Sequence, residues 1–539
     1  MKIAVAQLNP IVGDLAGNAE RIAEAGRAGL GQGATLLVTP ELSICGYPPE
    51  DLLFRDDFCD ACEAALVPLA QRLAGLTAIV GVPVRRGTAR FNAAAVLEGG
   101  RVAHLYFKHA LPNYRVFDEE RYFEPGSEPL VVLHQGVKVG ITICEDVWEA
   151  APVAVARRAG AEFIVSINGS PYDMKKRHAR FDVVTARVRE CGLPVLFVNQ
   201  VGGQDELVFD GASFAMEADG SVTYQEDEFE ERVRVIAFEG GRFDGPRAAA
   251  APAEASVYAA LRLAVRDYVD KNRFPGVLLG LSGGVDSALT LAIAVDALGR
   301  DRVQAVMMPS DYTASISIED SREMAGIHGV RYSEIAIRPM FDAFNASLAE
   351  TFAGRQPDTT EENLQARIRG TLLMAMSNKF GSIVLTTGNK SEMAVGYSTL
   401  YGDMAGGFAV LKDIFKTLAY RLCHWRNGIS RVIPERVIDR PPSAELRPDQ
   451  TDQDSLPPYE VLDAIVERFM ENDQSPGDII AAGFGQADVR RVVRLVQVNE
   501  YKRRQSPVGV KVTQRGFGKD WRYPITSRYQ PPFLPSAKP

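Results

Sequence analysis

The stretch from Gly276 to Leu298 constrains the fold of this chain most, because an apolar run gives way there to a helical pattern across a short glycine-serine loop. The loop reads SGGVDS and covers residues 282–287. A strand, a tight loop and a helix in that order gather backbone N–H groups and a helix N-terminus around one point, which suits a phosphate group. The pattern therefore predicts a nucleotide-binding α/β unit, although a glycine-rich turn can also be only a tight connection.

The residue types in this loop limit the reactions that it can serve. A kinase-type loop carries a lysine after its glycines, whereas this loop has Asp286 in its place. A carboxylate beside phosphates normally implies a divalent cation, so we expect Mg²⁺ at Asp286. A loop that holds pyrophosphate and Mg²⁺ suits a reaction that splits ATP into AMP and pyrophosphate.

Composition and charge exclude several other classes of protein. The 539 residues are 46% hydrophobic and 24% charged, which is ordinary for a soluble globular protein of about two to four domains. The net charge is −9, and no basic stripe indicates nucleic-acid binding. The N-terminal apolar run is broken by Gln7, Asn9 and Asp14, which predicts a strand rather than a signal peptide. No apolar run approaches the roughly 18 residues of a membrane span, so we expect a cytoplasmic protein.

Six cysteines are too few for a disulfide scaffold in a chain of this length. Cys59 and Cys62 form a CxxC pair, which could be redox-active or half of a zinc site. No second pair exists, and the flanking residues have a helical pattern. We therefore expect ordinary structural thiols at these two positions.

The two halves of the chain differ in pattern. Residues 1–240 mix hairpin signals with β-α-β units, which predicts a large layered α/β domain. Residues 241–255 are rich in Gly, Pro and Ala and indicate a linker. Residues 256–525 alternate strands and helices, which predicts a doubly wound parallel sheet with ligands at the C-terminal strand ends. Residues 526–539 read as a tail, and the Pro-rich stretch 441–458 as a long loop of the kind that forms lids or is disordered.

Three reactive side chains in the first half each lie at the end of a predicted strand. They are Glu41, Lys108 and Cys144. A thiol becomes a good nucleophile when a base and a positive neighbour stand beside it, and Glu41 and Lys108 could fill these roles. Each residue alone would be ordinary, because a strand-end cysteine is often structural and a glutamate or lysine is usually solvated.

The segments around these residues resemble a known family. PELSICGYPPEDLL, YFKHALPNY and ICEDVW are similar to the three catalytic segments of the nitrilase superfamily. Joined to an SGGVDS domain, they resemble the bacterial glutamine-dependent NAD⁺ synthetases, over roughly residues 1–235 and 256–525. The resemblance implies a four-layer αββα sandwich, a doubly wound adenine-nucleotide-binding domain and a homo-oligomer. It also implies a reaction in which glutamine, ATP and deamido-NAD⁺ give glutamate, AMP, pyrophosphate and NAD⁺.

The resemblance implies roles for single residues in the first half. Cys144 would attack the side-chain amide of glutamine, with Glu41 as general base. Lys108 and the backbone N–H of Glu145 would hold the oxyanion. The glutamine-binding positions would be Tyr114, Ser170 and Lys176. From the residues alone, the first of these three could belong to the core and the last to a solvated basic run.

The resemblance assigns a second set of residues in the other half. The ATP-binding positions would be Gly280, Leu281, Ser282, Gly283, Gly284, Val285, Asp286, Ser287 and Thr387. The positions that bind deamido-NAD⁺ would be Asn363, Glu392 and Lys502. Asp286 and Glu392 would be the Mg²⁺ ligands, and Asp403 is also expected to face the dinucleotide. The basic run at 502–504 could equally be a solvated surface.

Two other functions remain open from the sequence. One is another ATP-pyrophosphate amidotransferase, because the SGGVDS loop is shared across those enzymes. The other is a nucleotide-sensing protein with an inactive amidase domain, against which the intact motif residues argue. Ammonia released into neutral water becomes mostly ammonium, which cannot attack an adenylate. We therefore expect an enclosed path for ammonia, and a glutaminase rate that rises when the synthetase substrates bind.

Overall fold

The computed structural model describes residues 1–447 and 450–529. The chain forms two compact units, Met1–Pro252 and Ala253–Pro539. Within the stretch expected to be a linker, residues 242–244 form a strand of the first unit, and a helix of the second unit begins at Ala253. Residues 530–539 of the expected tail lie outside the described residues. None of the helices in the described part of the chain is long and apolar enough to cross a membrane.

The first unit is the four-layer αββα sandwich that the family resemblance implies. Its strands are β1 (Lys2–Gln7), β2 (Leu36–Val38), β3 (Thr77–Arg86), β4 (Ala89–Glu98), β5 (Arg101–Phe107), β6 (Leu130–His134), β7 (Val137–Ile143), β8 (Phe163–Asn168), β9 (Val195–Asn199), β10 (Val201–Gln204), β11 (Leu207–Asp210), β12 (Phe214–Met216), β13 (Val222–Gln225), β14 (Arg232–Glu239) and β15 (Arg242–Asp244). Its α-helices are α1 (Leu15–Gly31), α2 (Asp56–Arg72), α3 (Ala150–Arg158) and α4 (Lys176–Cys191).

Two large sheets form the inner layers, with the strand orders β15-β14-β1-β2-β3-β4-β5 and β13-β12-β9-β8-β7-β6. Successive side chains of a strand point to opposite faces, and β1 shows the consequence. Ile3 and Val5 pack into the core between the sheets, whereas Ala4 and Ala6 pack under α1 and α2. Helices α3 and α4 cover the outer face of the other sheet. Both faces of each sheet are therefore buried, which explains the nearly continuous apolar runs of these strands.

The cysteine pair of the first unit lies in this core. Cys59 and Cys62 are buried on α2, and none of the six cysteines, all of which are described, forms a disulfide.

The second unit is built on one parallel sheet. Its elements are α5 (Ala253–Lys271), β16 (Val277–Gly280), α6 (Val285–Leu298), β17 (Val303–Met307), α7 (Ser315–His328), β18 (Arg331–Glu334), α8 (Arg338–Leu348), α9 (Thr359–Phe380), β19 (Ile383–Thr386), α10 (Lys390–Val395), β20 (Phe408–Ala409), α11 (Lys416–Ile429), α12 (Glu435–Asp439), α13 (Tyr459–Val466), α14 (Pro476–Ala481), α15 (Gln486–Val498) and α16 (Glu500–Arg503).

The strand order of this sheet, β18-β17-β16-β19-β20, explains where a ligand binds. All four pairings are parallel, and the chain continues to one side of β16 through β17 and β18 before it returns to the other side at β19. Such a switch point opens a crevice at the carboxyl ends of the strands. The SGGVDS loop follows β16 directly and Thr387 follows β19, so both reach this crevice.

Candidate active sites

Glu41 lies just beyond the carboxyl end of β2 and is completely buried. Its Oε1 accepts hydrogen bonds from Lys108 Nζ and from Asn92 Nδ2, both at 2.7 Å. Its Oε2 accepts the backbone N–H of Gly169 at 2.8 Å. Because both oxygens have fixed donors, the carboxylate is held in one orientation and its charge is compensated.

Lys108 follows β5 and is shared by two buried carboxylates. Its ammonium donates to Glu41 and to the two carboxylate oxygens of Glu119, at 2.8 and 3.0 Å. Burial by itself lowers the pKa of Lys108, but Glu119 and Glu41 together raise it well above its usual value. Lys108 therefore stays a cation. Sequence reasoning missed Glu119, since nothing in the run FDEER distinguishes it from its acidic neighbours.

Cys144 begins a 3₁₀ turn, Cys144–Val147, directly after β7. Its φ of 42° lies in the left-handed region, which residues other than glycine rarely adopt. Asp146 fixes this turn by accepting the backbone N–H of Ile143 at 2.9 Å. Its other oxygen accepts the two backbone N–H groups that follow Lys108, at 2.9 and 2.8 Å. Asp146 thus ties the cysteine turn to the end of the lysine strand, a role that the sequence did not reveal.

Cys144 is only 3% exposed. Burial, together with Glu41, raises the pKa of Cys144 well above its usual value, while Lys108 acts in the opposite direction. A buried thiol of this kind needs a base beside it to become a nucleophile. The structure brings the three predicted residues, Glu41, Lys108 and Cys144, together in one enclosed site.

Two opposite charges lie beside the cysteine. The hydroxyl of Tyr114, a residue that is 43% exposed, donates to both carboxylate oxygens of Glu145 at 3.0 and 3.1 Å. The ammonium of Lys176 lies 4.2 Å from the centre of the Trp148 ring. Burial and the charge of Arg180 lower the pKa of Lys176 to about 8, although Glu145 acts in the opposite direction. This pair of charges matches the two charged groups of a free amino acid.

Ser170 belongs to a buried network rather than to the open part of the site. Its hydroxyl accepts a hydrogen bond from Arg180 Nε at 3.1 Å, and its carbonyl accepts one from Nη2 at 2.7 Å. Arg180 in turn is paired with Asp210 at 2.7 Å. The backbone N–H of Ser170 donates to Asn199 at 2.9 Å. The network fixes the loop after β8 that also supplies the Glu41 partner Gly169.

The second unit contains a cavity of about 290 Å³ at the carboxyl ends of β16 and β19. The predicted residues that line it are Gly280, Leu281, Ser282, Gly284, Val285, Asp286, Ser287, Thr387, Glu392 and Asp403. Gly283 is not among them, since it faces α7. Its φ is 81°, and a Cβ there would lie 2.5 Å from the carbonyl oxygen of Ser317, so only glycine fits.

The two serines of the loop brace it from inside. The hydroxyl of Ser287 accepts the backbone N–H of Ser282 at 3.2 Å and donates to the carbonyl of Gly284 at 2.9 Å. The hydroxyl of Ser282 accepts the N–H of Gly284 at 3.3 Å. These bonds hold the loop open at the N-terminus of α6, where the helix dipole favours an anion.

Asp286 and Glu392 share one lysine. Lys416 Nζ donates to Asp286 Oδ2 at 2.5 Å and to Glu392 Oε1 at 3.5 Å. Asp286 Oδ1 is buried and has no hydrogen-bond partner within 1–447 and 450–529. Burial raises the pKa of Glu392 to about 8, although Lys416 acts to lower it. Sequence reasoning did not single out Lys416 from the other charged residues of the run LKDIFKT.

These two carboxylates fit the expected Mg²⁺. Mg²⁺ typically takes one or two protein carboxylates and completes its coordination with phosphate oxygens and water. The described residues contain no group of three or more His, Cys, Asp or Glu side chains able to hold a metal ion by themselves. The free Oδ1 of Asp286 therefore suits a cation that arrives together with a phosphate group.

Asn363 and Lys502 do not line the cavity, but they contact the loop that does. The hydroxyl of Thr399 donates to Asn363 Oδ1 at 2.9 Å. Lys502 Nζ donates to two backbone carbonyls of residues 396–398, at 2.7 and 2.8 Å. Asp403, which lines the cavity, accepts the backbone N–H of Thr399 at 2.6 Å. The three predicted residues thus surround one loop.

The Pro-rich stretch forms part of the cavity wall. Its residues 441–446 and Asp452 line the cavity. Its described part contains the 3₁₀ turn Asp452–Asp454, and residues 448 and 449 lie outside the described residues. Arg369 and Arg440 also line the cavity. Neither arginine, nor Asp452, stands in a recognisable motif, and only the fold brings them to the nucleotide loop.

Comparison with known proteins assigns the two halves of the chain to two domain families. Residues 2–239 match the family model described as carbon-nitrogen hydrolase, and residues 257–506 match that described as NAD synthase. The chain is 48% identical to the glutamine-dependent NAD(+) synthetase of Acinetobacter baylyi, over 98% of this chain and 99% of the relative. It is 49% identical to the Xanthomonas campestris protein of the same name, over 98% of each.

A solved structure supports the same assignment. The glutamine-dependent NAD⁺ synthetase from Acinetobacter baumannii, in complex with ADP, matches with a TM-score of 0.79 and 44% identity, over 97% of this chain and 98% of that one. This chain belongs to the family of glutamine-dependent NAD⁺ synthetases.

Proposed function

We propose that this protein makes NAD⁺ by amidating deamido-NAD⁺, with glutamine as nitrogen donor and ATP as the activating co-substrate. The observation that carries the proposal is the presence of a buried Glu-Lys-Cys site and an SGGVDS loop in one chain that is 48% identical, over 98% of its length, to a synthetase of this name. Other amidotransferases share the loop, but here the similarity extends along the whole chain. That extent favours deamido-NAD⁺ over another carboxylate and an enzyme over a nucleotide sensor.

At the first site, glutamine is hydrolysed through a thioester. Glu41 accepts the thiol proton of Cys144 as the sulfur attacks the carboxamide carbon. The charge of Lys108 and the backbone N–H of Glu145 stabilise the oxyanion, since the first N–H groups of a helical turn have no acceptor within it. Glu41 then protonates the departing ammonia. Afterwards it deprotonates the water that releases glutamate from the sulfur.

The charges beside the cysteine suit recognition of glutamine. Glu145, oriented by Tyr114, faces the α-ammonium group, and Lys176 faces the α-carboxylate. Ser170 contributes through its backbone and through the Arg180 network that fixes the loop. A neutral or singly charged amide would satisfy only part of this arrangement.

At the second site, the nicotinate carboxylate is activated, because a carboxylate offers ammonia no leaving group. One carboxylate oxygen attacks the α-phosphorus of ATP, the bond from that phosphorus to the bridging oxygen breaks, and its electron pair leaves with pyrophosphate. Residues 280–287 hold the phosphates and Thr387 contacts ATP. Asp286 and Glu392 would hold Mg²⁺, which neutralises phosphate charge when bound. Ammonia then displaces AMP from the adenylate.

The loop 396–403 is proposed to carry deamido-NAD⁺. Lys502 uses two of its three N–H bonds on this loop, which leaves one for the dinucleotide. Asn363 reaches it through Thr399, and Asp403 and Glu392 face the same cavity. These contacts place fixed hydrogen-bonding groups beside the nucleotide.

Ammonia must reach the adenylate before it is protonated, and this requirement supports an enclosed path between the two reactions. The family resemblance further supports a homo-oligomer that works in the cytoplasm, where its substrates are made. The sequence pattern further supports a glutaminase domain at 1–240, a synthetase domain at 256–525 and a tail at 526–539. The linker predicted at 241–255 includes the strand at 242–244 and the start of α5.

Product analysis tests the proposal. The purified protein is incubated with ATP, Mg²⁺ and either glutamine or ammonium, in separate reactions with deamido-NAD⁺, xanthosine monophosphate or aspartate. We expect equal amounts of NAD⁺, AMP and pyrophosphate when the carboxylate substrate is deamido-NAD⁺, and no amidated product from the other two carboxylates. Amidation of another carboxylate, or no amidation with either nitrogen source, would show the proposal to be wrong.

A further inference from the structure

Arg440 follows α12 and enters the cavity of the second unit beside the nucleotide loop. Its Nη2 donates to the backbone carbonyl of Gly283 at 3.1 Å. Arg440 lines the cavity, and its Nη1 is buried and has no hydrogen-bond partner in the described parts of the chain. One arm of the guanidinium is therefore fixed on the loop, and the other has no acceptor within the protein.

A buried guanidinium N–H without an acceptor is costly, so a group in this position calls for a partner. Across the same loop, Asp286 Oδ1 is buried and without a partner as well. Arg440 Nη1 is a cationic donor that requires an acceptor, whereas Asp286 Oδ1 is an anionic acceptor that requires a donor or a cation. A phosphate oxygen would accept from Arg440, and a metal ion bound to that phosphate would bind Asp286.

We infer that Arg440 binds the pyrophosphate group of ATP, and the pyrophosphate product, through Nη1, while the metal bound to that group would be held by Asp286. The inference rests on the proposed function and adds to it a residue outside the SGGVDS loop. Arginine suits the task better than lysine, because its planar fork reaches the Gly283 carbonyl and a phosphate oxygen at once.

Glu445 opposes this binding. Its Oε1 lies 4.0 Å from Arg440 Nη2 and accepts the hydroxyl of Ser317 at 2.6 Å. Its Oε2 accepts the backbone N–H of Ala314, at the start of α7, at 3.3 Å. Glu445 also lines the cavity, so we expect its fixed negative charge to weaken the binding of pyrophosphate and to favour its release.

Calorimetric titration with inorganic pyrophosphate in the presence of Mg²⁺ tests the inference without turnover. We expect Arg440→Gln to bind pyrophosphate at least about tenfold more weakly than the wild type, as loss of a charged hydrogen bond implies. Arg440→Lys should recover only part of the affinity, and Glu445→Gln, which keeps its acceptor oxygen, should bind more tightly. Arg447→Gln is the matched control, since Arg447 lies on the same segment, pairs with Asp454 at 2.7 Å and does not line the cavity.

AMP serves as a second probe, because it lacks the pyrophosphate group. Arg440→Gln should bind AMP as the wild type does. Equal loss of AMP and pyrophosphate binding would mean that Arg440 only shapes the loop, and unchanged pyrophosphate binding would mean that it does not touch the phosphates; either result overturns the inference. If the wild type binds pyrophosphate in this way but makes no NAD⁺, the proposed function fails and the role of Arg440 stands.

Discussion

The two sites differ in how completely their buried charges are paired within the protein. In the first, Glu41, Lys108 and Glu119 satisfy one another, and the side chains of the Glu41–Lys108 pair are 0% exposed. In the second, Lys416 balances the carboxylates only in part, and Asp286 Oδ1 and Arg440 Nη1 remain without partners in the described residues.

The difference follows from the chemistry proposed for each site. Hydrolysis of glutamine passes through a covalent bond to the protein, so the protein must supply base, cation and oxyanion donors in fixed positions before the substrate arrives. Activation by ATP brings a negatively charged triphosphate into the site together with a metal ion. At the second site the ligand and its metal ion pair with the buried charges of the protein. Side chains already paired with one another would compete with the ligand for the same contacts.

Replacing the nucleophile separates the two sites most strongly. Cys144→Ala should lower glutamine-dependent NAD⁺ formation at least about 1,000-fold, because no thioester can form. Ammonium-dependent formation should stay within twofold or so of the wild type. The measurement is the initial rate of NAD⁺ formation with each nitrogen source. Retention of the glutamine-dependent rate would show that another group is the nucleophile.

A buried charge cluster outside both sites tests whether internal pairing of this kind is indispensable for stability. Lys390 is completely buried and donates to Asp413 and Glu471 at 2.7 and 2.6 Å. Lys390→Met removes the cation shared by two buried carboxylates and leaves Asp413 only its hydrogen bonds from residues 512–513, which should cost about 3–5 kcal/mol of unfolding free energy. The control is Arg27→Met on the exposed Glu20 pair, for which about 0–1 kcal/mol is expected. Urea unfolding of both variants measures the difference, and equal midpoints would contradict the argument.

Removing the carboxylate of the nucleotide loop should affect only the second site. Asp286→Asn should lower NAD⁺ formation about 100-fold with either nitrogen source, because the metal loses an anionic ligand. The variant should still hydrolyse glutamine in the absence of the other substrates. The two activities are measured separately, as NAD⁺ and as glutamate. If only the glutamine-dependent reaction were lost, Asp286 would act at the first site, and its assignment to the second site would be wrong.

The smallest effect is expected from the half-buried lysine beside the cysteine. Burial lowers the pKa of Lys176 to about 8, so its charge is present below this pH and is lost as the pH rises through it. We therefore expect kcat/KM for glutamine to decline above about pH 8. Lys176→Met should lower kcat/KM about tenfold at neutral pH and abolish the decline. Lys175→Met, its neighbour in the same basic run, should keep the wild-type profile; if it loses the decline instead, the assignment belongs to Lys175.

The sequence was sufficient to predict the features that depend only on residues close together in the chain. The apolar strands, the glycine-rich loop and the reactive residues at strand ends all follow from short stretches of chain. Glu119, Lys416 and Arg440 do not, because each acts through partners 11, 130 and 157 residues away and nothing in its own segment distinguishes it from its neighbours. Cys144 was found because its segment is distinctive, whereas Asp146, which holds its turn, is explained only by the fold.

Isotope tracing tests the central claim most directly. The wild-type protein is given ATP, Mg²⁺, deamido-NAD⁺ and glutamine labelled at its amide nitrogen, and the NAD⁺ is analysed by mass spectrometry. Our account predicts that the label appears in the amide of NAD⁺, with one glutamate and one pyrophosphate formed for each molecule of NAD⁺. Unlabelled NAD⁺, or release of labelled ammonia without any NAD⁺, would contradict it.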